Sequence, residues 1–370
     1  MVYGRGVVGR LGELARDAGA RRVLLVTDPG IIRAGHVDAA VSALRSAGLD
    51  PVVFDGVEEN PTSEHVAAGA GRARREQIDF LVGFGGGSSI DCAKGVNFIV
   101  SCGGEIEDYW GIDKATGPML PMIAVPTTAG TGSENQSFAL ISDPLTHRKM
   151  ACGDKRAACV VALLDPSLTT SQPDAVTAAT GIDALSHAVE SFVTTRRNAV
   201  SRAFSRQSWI LLSAAFARVL EDPDDLEARG DMLLGASLAG IAIENSMLGA
   251  AHAAANPLTA RFGTVHGNAV GLMLPQVVRF NAPVAGRDYD ELAFLAGESV
   301  PPGEPPGEAL ARCLERFLAR SGLRRRLADC DVTAGALEDL ARDATAQWTA
   351  RFNPREVTTE DFLEIYRCAL

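Results

Sequence analysis

Histidine is scarce in this chain, with six in 370 residues, so any site built on imidazole must draw on few positions. The seven cysteines are scattered and form no CxxC pair, which excludes a cysteine zinc knuckle or a dithiol redox motif. They form no regular framework either, so the chain reads as reduced and is expected in the cytoplasm. Excess positive charge is also missing. Lys and Arg number 35 against 46 Asp and Glu, a net charge of −11, which argues against a nucleic-acid or anionic-membrane partner. No apolar run reaches the roughly 18 residues of a membrane span. The first residues, MVYGRGVVGRLGEL, lack the apolar core of a signal peptide. What is present is apolar material, 46% of the chain, enough for about two domains of roughly 100–200 residues each.

Residues 1–168 alternate strand and helix signals. RVLLVT (22–27) is a buried-strand run closed by the Asp28-Pro29-Gly30 turn, and helical spacing follows from Ile31 to Ala47. Further strands read at Pro51–Phe54, Asp79–Phe84, Met122–Val125 and Cys159–Leu164. Helices read at Ser63–Gln77 and from Ile90 to about Val100. This alternation predicts an α/β domain, a doubly wound, mostly parallel sheet covered on both faces. Residues 169–370 show long Ala- and Leu-rich helical patterns, among them Ala199–Glu221, Leu226–Ile243 and Ala309–Leu327, with almost no strand signal. They predict an all-helical second domain.

Two loops have the chemistry of a phosphate cradle. GFGGGSSID (83–91) follows a strand and opens a helix, where glycine lets backbone N–H groups approach an anion. Its spacing is not GxGxxG. PTTAGTGSE (126–134) follows the next strand and offers hydroxyls and amides without positive charge. Each alone also reads as a plain turn. Two at C-terminal strand ends of one sheet favour a ligand crevice. Asp28 ends the first clear strand. It either accepts from a ribose hydroxyl and repels a 2′-phosphate, or merely shapes the turn before Pro29.

Asp183 and His187 stand four apart in a helical segment and share a face. His252 lies in the Ala-rich GAAH segment, and His266 opens another helix. One carboxylate and three imidazoles in apolar helical surroundings suit a divalent transition metal, Fe²⁺ or Zn²⁺. Singly, a His in an apolar helix is more often a hydrogen-bonded core residue than a ligand, and an Asp–His pair four apart is commonly a surface pair; four together in a His-poor chain weaken that reading. His36, His65 and His147 have polar neighbours and read as surface residues.

Taken in order, VTDPG (26–30), ENPT (59–62), GFGGGSSIDCAK (83–94), PTTAGTGSE (126–134), LLDPSL (163–168), GIDALSHAVESF (181–192) and HGNAVGLMLP (266–275) resemble the iron-containing, or group III, alcohol dehydrogenases over nearly the whole length. The resemblance implies a nucleotide-binding α/β domain, an all-helical domain and an active site in the cleft between them, in a homodimer. It implies that Asp183, His187, His252 and His266 are metal ligands and catalytic. It implies that Asp28, Asn60, Gly86, Gly87, Ser88, Asp91, Thr127, Thr128, Thr131 and Lys149 contact the cofactor, with NAD favoured over NADP. Two departures stand out. Many members carry a second His four residues after the third ligand, where this chain has Asn256, and Asn cannot be a general base near neutral pH. Typical members also carry a short strand ahead of the VYGRGVVGRL segment.

The implied activity is reversible hydride transfer between NAD(H) and a small alcohol or aldehyde, with the metal as Lewis acid. The alternatives weighed against it are metal-free reduction as in maleylacetate reductases and reduction of a functionalised aldehyde such as a phosphonate aldehyde. Another is the different chemistry of dehydroquinate synthase or glycerol-1-phosphate dehydrogenase, and the last is a non-catalytic NAD-binding protein.

Overall fold

A computed structural model describes residues 1–146 and 148–370, so His147 lies outside the described residues. The chain packs as two compact units. One comprises Met1–Thr128 and Gly132–Gln172, and the other Ala129–Thr131 and Pro173–Leu370.

The first unit contains strands β1 (Val2–Tyr3), β2 (Arg22–Val26), β3 (Asp50–Phe54), β4 (Phe80–Gly85), β5 (Gly111–Ile112), β6 (Met122–Pro126), β7 (Phe138–Ser142), β8 (Lys149–Gly153) and β9 (Val161–Leu164). Its helices are α1 (Leu11–Asp17), α2 (Pro29–Arg33), α3 (His36–Ser46), α4 (Ser63–Arg75) and α5 (Gly87–Cys102). The main sheet runs β1-β9-β6-β4-β2-β3 and every pairing in it is parallel. Alternate residues of β2 go to opposite faces. Val23 and Leu25 join the core that holds α1 and α3, while Leu24 and Val26 join the core that holds α4 and α5. Both faces are covered, which is why the strand is apolar throughout rather than alternating. From β2 the chain steps outward to β3, then returns across β2 to β4 and continues to β6. The order therefore reverses between β2 and β4, the position at which open α/β sheets form a ligand crevice.

Three local readings are corrected. The stretch expected as one helix from Ile31 to Ala47 is two helices, because Gly35 takes a left-handed φ of 78° and starts α3 afresh. The helix expected to run to Leu327 ends at Arg320, before Ser321-Gly322. A second sheet, β5-β8-β7, is present that the sequence pattern does not signal. Its β7–β8 hairpin is turned by Asp143, whose Oδ1 accepts from the amides of Leu145 and Thr146 at 3.1 and 2.7 Å. At the N-terminus, Val2 and Tyr3 form a two-residue strand beside Leu163 and Leu164.

The second unit is helical: α6 (Asp174–Val193), α7 (Ala199–Glu221), α8 (Leu226–Glu244), α9 (Ala250–Phe262), α10 (His266–Leu295), α11 (Glu308–Arg320), α12 (Leu337–Thr345) and α13 (Thr359–Ala369). Helix α6 is central and packs on α7, α8 and α10. It is buried almost all round, so its sequence shows little amphipathic contrast. None of the described helices is long and apolar enough to cross a membrane.

One buried cation ties the first unit's loops together. Lys94 of α5 is fully buried, and its Nζ donates to the Ser133 carbonyl at 2.7 Å, to Ser133 Oγ at 3.0 Å and to the Phe138 carbonyl at 2.9 Å. Asp91 Oδ1 lies 3.8 Å from it. Replacing Lys94 with Met removes the cation from a buried carboxylate and the donor from two carbonyls. The denaturant midpoint is expected to fall by the equivalent of roughly 3–5 kcal/mol, read by urea unfolding. An unchanged midpoint would mean that the clamp contributes nothing to stability.

Candidate metal centre and nucleotide site

Three helices of the second unit bring four side chains together. Asp183 and His187 lie one turn apart on α6, His252 is in the first turn of α9, and His266 is the first residue of α10. Asp183 Oδ1 is 3.5 Å from His187 Nε2, 3.4 Å from His252 Nε2 and 3.8 Å from His266 Nε2. The rings of His187 and His252 stack with centroids 4.9 Å apart, and that of His266 lies 5.5 Å from His252. Asp183, His187 and His252 are buried and offer ligand atoms all within 4.8 Å of one another.

The donors fit a cation. Asp183 Oδ1 and His252 Nε2 are buried without an aligned hydrogen bond although only 3.4 Å apart, so both have a lone pair or proton site that a cation placed among them would use. One carboxylate oxygen with imidazole nitrogens is a donor set that Fe²⁺ and Zn²⁺ both accept. His252 is also held from behind. Its Nδ1 lies 2.5 Å from Glu190 Oε2, and the other Glu190 oxygen accepts from the Ala251 amide at 2.7 Å. Glu190 did not stand out in the sequence. The signal that would have found it is its spacing, since Asp183, His187 and Glu190 fall at i, i+4 and i+7 on one stripe of α6.

Close helix approach sets where His266 sits. A Cβ on Gly267, the next residue, would fall 2.0 Å from the Ala179 carbonyl oxygen of α6. Only glycine lets the first turn of α10 come this near. Asn256, one turn beyond His252 on α9, donates its side-chain N–H to Gln347 Oε1 at 3.0 Å.

Electrostatics follow from burial and crowding. Burial opposes the Asp183 charge, but His187, His252 and His266 outweigh it and hold the carboxyl well below its ordinary range. Burial lowers His187 more than Asp183 raises it. His252 moves the other way. Burial works against its proton, but Glu190 and Asp183 lift its pKa to about 9.

Most of the residues proposed for the nucleotide gather at C-terminal strand ends of the first unit. Gly86 precedes α5 in extended conformation and, lacking a side chain, does not cap the first amides of α5. Ser88 Oγ accepts from the Asn60 amide at 3.3 Å, joining the β3–α4 loop to this turn. The Thr127 amide donates to the Gly85 carbonyl at 2.9 Å, and a Cβ on Gly86 would touch Thr128 at 3.4 Å. Asp28 follows β2. Its Oδ1 caps α2 through the Gly30 and Ile31 amides, and Oδ2 accepts from Ser89 Oγ at 3.2 Å. The turn-shaping role is thus real, and Oδ2, with one donor, keeps a second lone pair.

Asp91, Thr131 and Lys149 have different surroundings. Asp91 is buried, with its oxygens on Ser133 Oγ and the Leu140 amide, so it acts within the fold. Thr131 packs with the helical unit, in a segment whose Gly130 abuts Thr180 of α6. Lys149 opens β8 opposite Ser142, whose amide donates to the Pro61 carbonyl, so its strand borders the Asn60 loop. His65 Nδ1 accepts from the Thr62 amide at 3.0 Å and caps α4, while His36 Nε2 meets Ser171 Oγ at 2.7 Å.

Comparison with known proteins shows the family. The family model for iron-containing alcohol dehydrogenase matches residues 1–166, and that for the C-terminal part of the Fe-containing alcohol dehydrogenase family matches 177–370. Alcohol dehydrogenase 4 of Schizosaccharomyces pombe is 34% identical over 371 residues, covering 100% of this chain and 87% of its own. The NAD-dependent methanol dehydrogenase of Bacillus methanolicus is 34% identical over 372 residues, covering 100% and 97%. The crystal structure of a 1,3-propanediol oxidoreductase superposes with a TM-score of 0.96 at 33% identity, covering 100% of this chain and 97% of that one.

The raised pKa of His252 predicts how metal loading depends on pH. Below about pH 9 the metal-free ring is protonated, and Nε2 must lose that proton to bind a cation. Apparent affinity should therefore fall about tenfold per unit as pH drops below 9, and level off above it. Chelator competition between pH 6 and 10 reads this. A flat profile would show that His252 is already neutral in the metal-free protein.

Proposed function

Because this chain belongs to the iron-containing alcohol dehydrogenase family, we propose that it is an NAD-linked oxidoreductase that moves a hydride between NAD(H) and a small alcohol or aldehyde. The observation that carries this reading is the buried set of Asp183, His187 and His252, with His266 beside it, whose oxygen and nitrogen atoms converge without hydrogen-bond partners at Asp183 Oδ1 and His252 Nε2. These four residues would hold Fe²⁺, the metal in the family's name. A divalent metal held there supplies Lewis acidity toward an alcohol or carbonyl oxygen.

The chain's own residues supply holding and orientation. Asp183, ionised far below neutral pH, contributes the negative charge of the site. The three imidazoles would hold a divalent metal as neutral donors, so the four residues would offset only one of its two positive charges. In the first unit, the α5 N-terminus with Gly86, Gly87 and Ser88 suits a pyrophosphate, and the hydroxyls of Thr127 and Thr128 suit its oxygens or an amide. Asp28 adds a carboxylate at the end of β2 that disfavours a 2′-phosphate, which supports NAD over NADP. The methanol dehydrogenase relative is NAD-dependent by name, which supports the same choice. Asn256 cannot take a proton, so proton exchange falls to water or to cofactor hydroxyls.

Two experiments test this. A screen of NADH and NADPH against about twenty aldehydes, with Fe²⁺ and Zn²⁺ loaded in parallel, should show turnover with NADH. Failure on every aldehyde with either metal would overturn the reading. Replacing Asp183 or His252 with Ala should remove bound metal and cut turnover by at least the roughly 10²-fold expected when a charge-stabilising group is lost. NADH binding, followed by its fluorescence, should persist. Full activity without metal would sink the Lewis-acid role and favour metal-free reduction.

A further inference from the structure

Helix α9 begins with a defect that its own sequence does not repair. Gly249, at the N-cap position, has no side chain, so the first amides of the helix need outside acceptors. Two buried side chains supply them. Asn353 Oδ1 accepts from the Ala250 amide at 3.3 Å, and Glu190 Oε1 accepts from the Ala251 amide at 2.7 Å. The carboxylate is favoured there by the positive end of the helix dipole. The second oxygen of Glu190 is only 2.5 Å from His252 Nδ1. One buried carboxylate thus grips the helix and the imidazole that grows from its first turn.

We propose that Glu190 is a positioning residue for the metal centre, one that fixes the tautomer and direction of His252. The inference rests on the reading above that Asp183 and the three histidines hold a divalent metal. An imidazole can present either nitrogen. With Nδ1–H donated to Glu190, the lone pair stays on Nε2, the atom that lies 3.4 Å from Asp183 Oδ1. With an amide in place of the carboxylate, the choice inverts. Its oxygen would keep the Ala251 contact and its NH₂ would face Nδ1. Nδ1 would then have to accept, which places the ring proton on Nε2, where it blocks a cation. A residue that only capped α9 would not have this consequence.

The test compares wild type with Glu190→Gln and Gly249→Ala, using Zn²⁺ affinity by chelator competition and the visible absorption of the Co²⁺-loaded protein. Glu190→Gln is close in size and keeps the cap acceptor. It should retain its thermal midpoint within a few degrees while Zn²⁺ affinity drops roughly 10–100-fold, and its Co²⁺ spectrum should change. Gly249→Ala is the second probe, since its Cβ would press on Glu190 Oε1 and Asn353 Oδ1, each at 3.1 Å. It should weaken Zn²⁺ several-fold. If Glu190→Gln fails to fold, the Gly249→Ala result decides. Wild-type affinity and spectrum in the folded Glu190→Gln protein, or in Gly249→Ala where that decides, would overturn the proposal. If wild type itself bound neither metal, the underlying reading of the site would fail instead.

Discussion

A carboxylate buried in an apolar helical unit is the constraint on which the second half of this protein depends. Asp183 is only 6% exposed, and an ion removed from water costs several kcal/mol unless its surroundings answer the charge. Here they do so with three imidazoles 3.4–3.8 Å from one oxygen. That requirement forces α6, α9 and α10 to meet, and it explains the small residues at their contacts. Burial also turns the hydroxyls of Ser186 and Ser191 back to the carbonyls of Ile182 and His187 at 2.8 and 2.6 Å. Buried hydroxyls on α6 thus find acceptors within the helix, and Ser191 Oγ also meets Ser205 Oγ of α7 at 2.7 Å.

The first unit solves a different problem. A parallel sheet buries both faces, so polar chemistry is pushed to the strand ends, and the reversal of strand order selects which ends. The loops after β2, β4 and β6 carry Asp28, the Gly86–Ser88 turn and the Thr127–Thr128 pair. They are tied to the rest of the unit by side-chain hydrogen bonds. Lys94 and Asp91 anchor the loop around Ser133 to α5, and Ser88 reaches the Asn60 amide. A crevice made of flexible glycine-rich turns is thereby given a fixed frame.

Much of this architecture is legible in the amino-acid sequence alone. The β2 run RVLLV announces a doubly covered strand because both of its faces are apolar. The i, i+4 spacing of Asp183 and His187 announces a shared face because helix geometry is local. Three of the four candidate ligands are histidines, a residue type scarce in the chain, and all four are set in apolar segments, which marks them as exceptional. Motif order then carries the family, since seven segments in sequence leave little freedom. The small β5-β8-β7 sheet is illegible because β5 is only two residues long, β8 mixes Lys149 and Gly153 with its apolar residues, and the hairpin turn is set by one aspartate. The break at Gly35 is illegible because helical spacing continues through it.

The sequence by itself determined the alternation of strands and helices, the two loops suited to phosphate, and the donors suited to a metal, because each depends on periodicity or residue chemistry within a short window. Only the tertiary structure decided which residues meet. It brought His252 and His266 to Asp183 across 69 and 83 positions of chain, turned Asp91 inward to Ser133 and spent much of Asp28 on capping α2. It also set Glu190 behind His252. Those outcomes depend on how closely helices pack, as at Gly267 against Ala179. Close packing is a property of three-dimensional contact that no local pattern records.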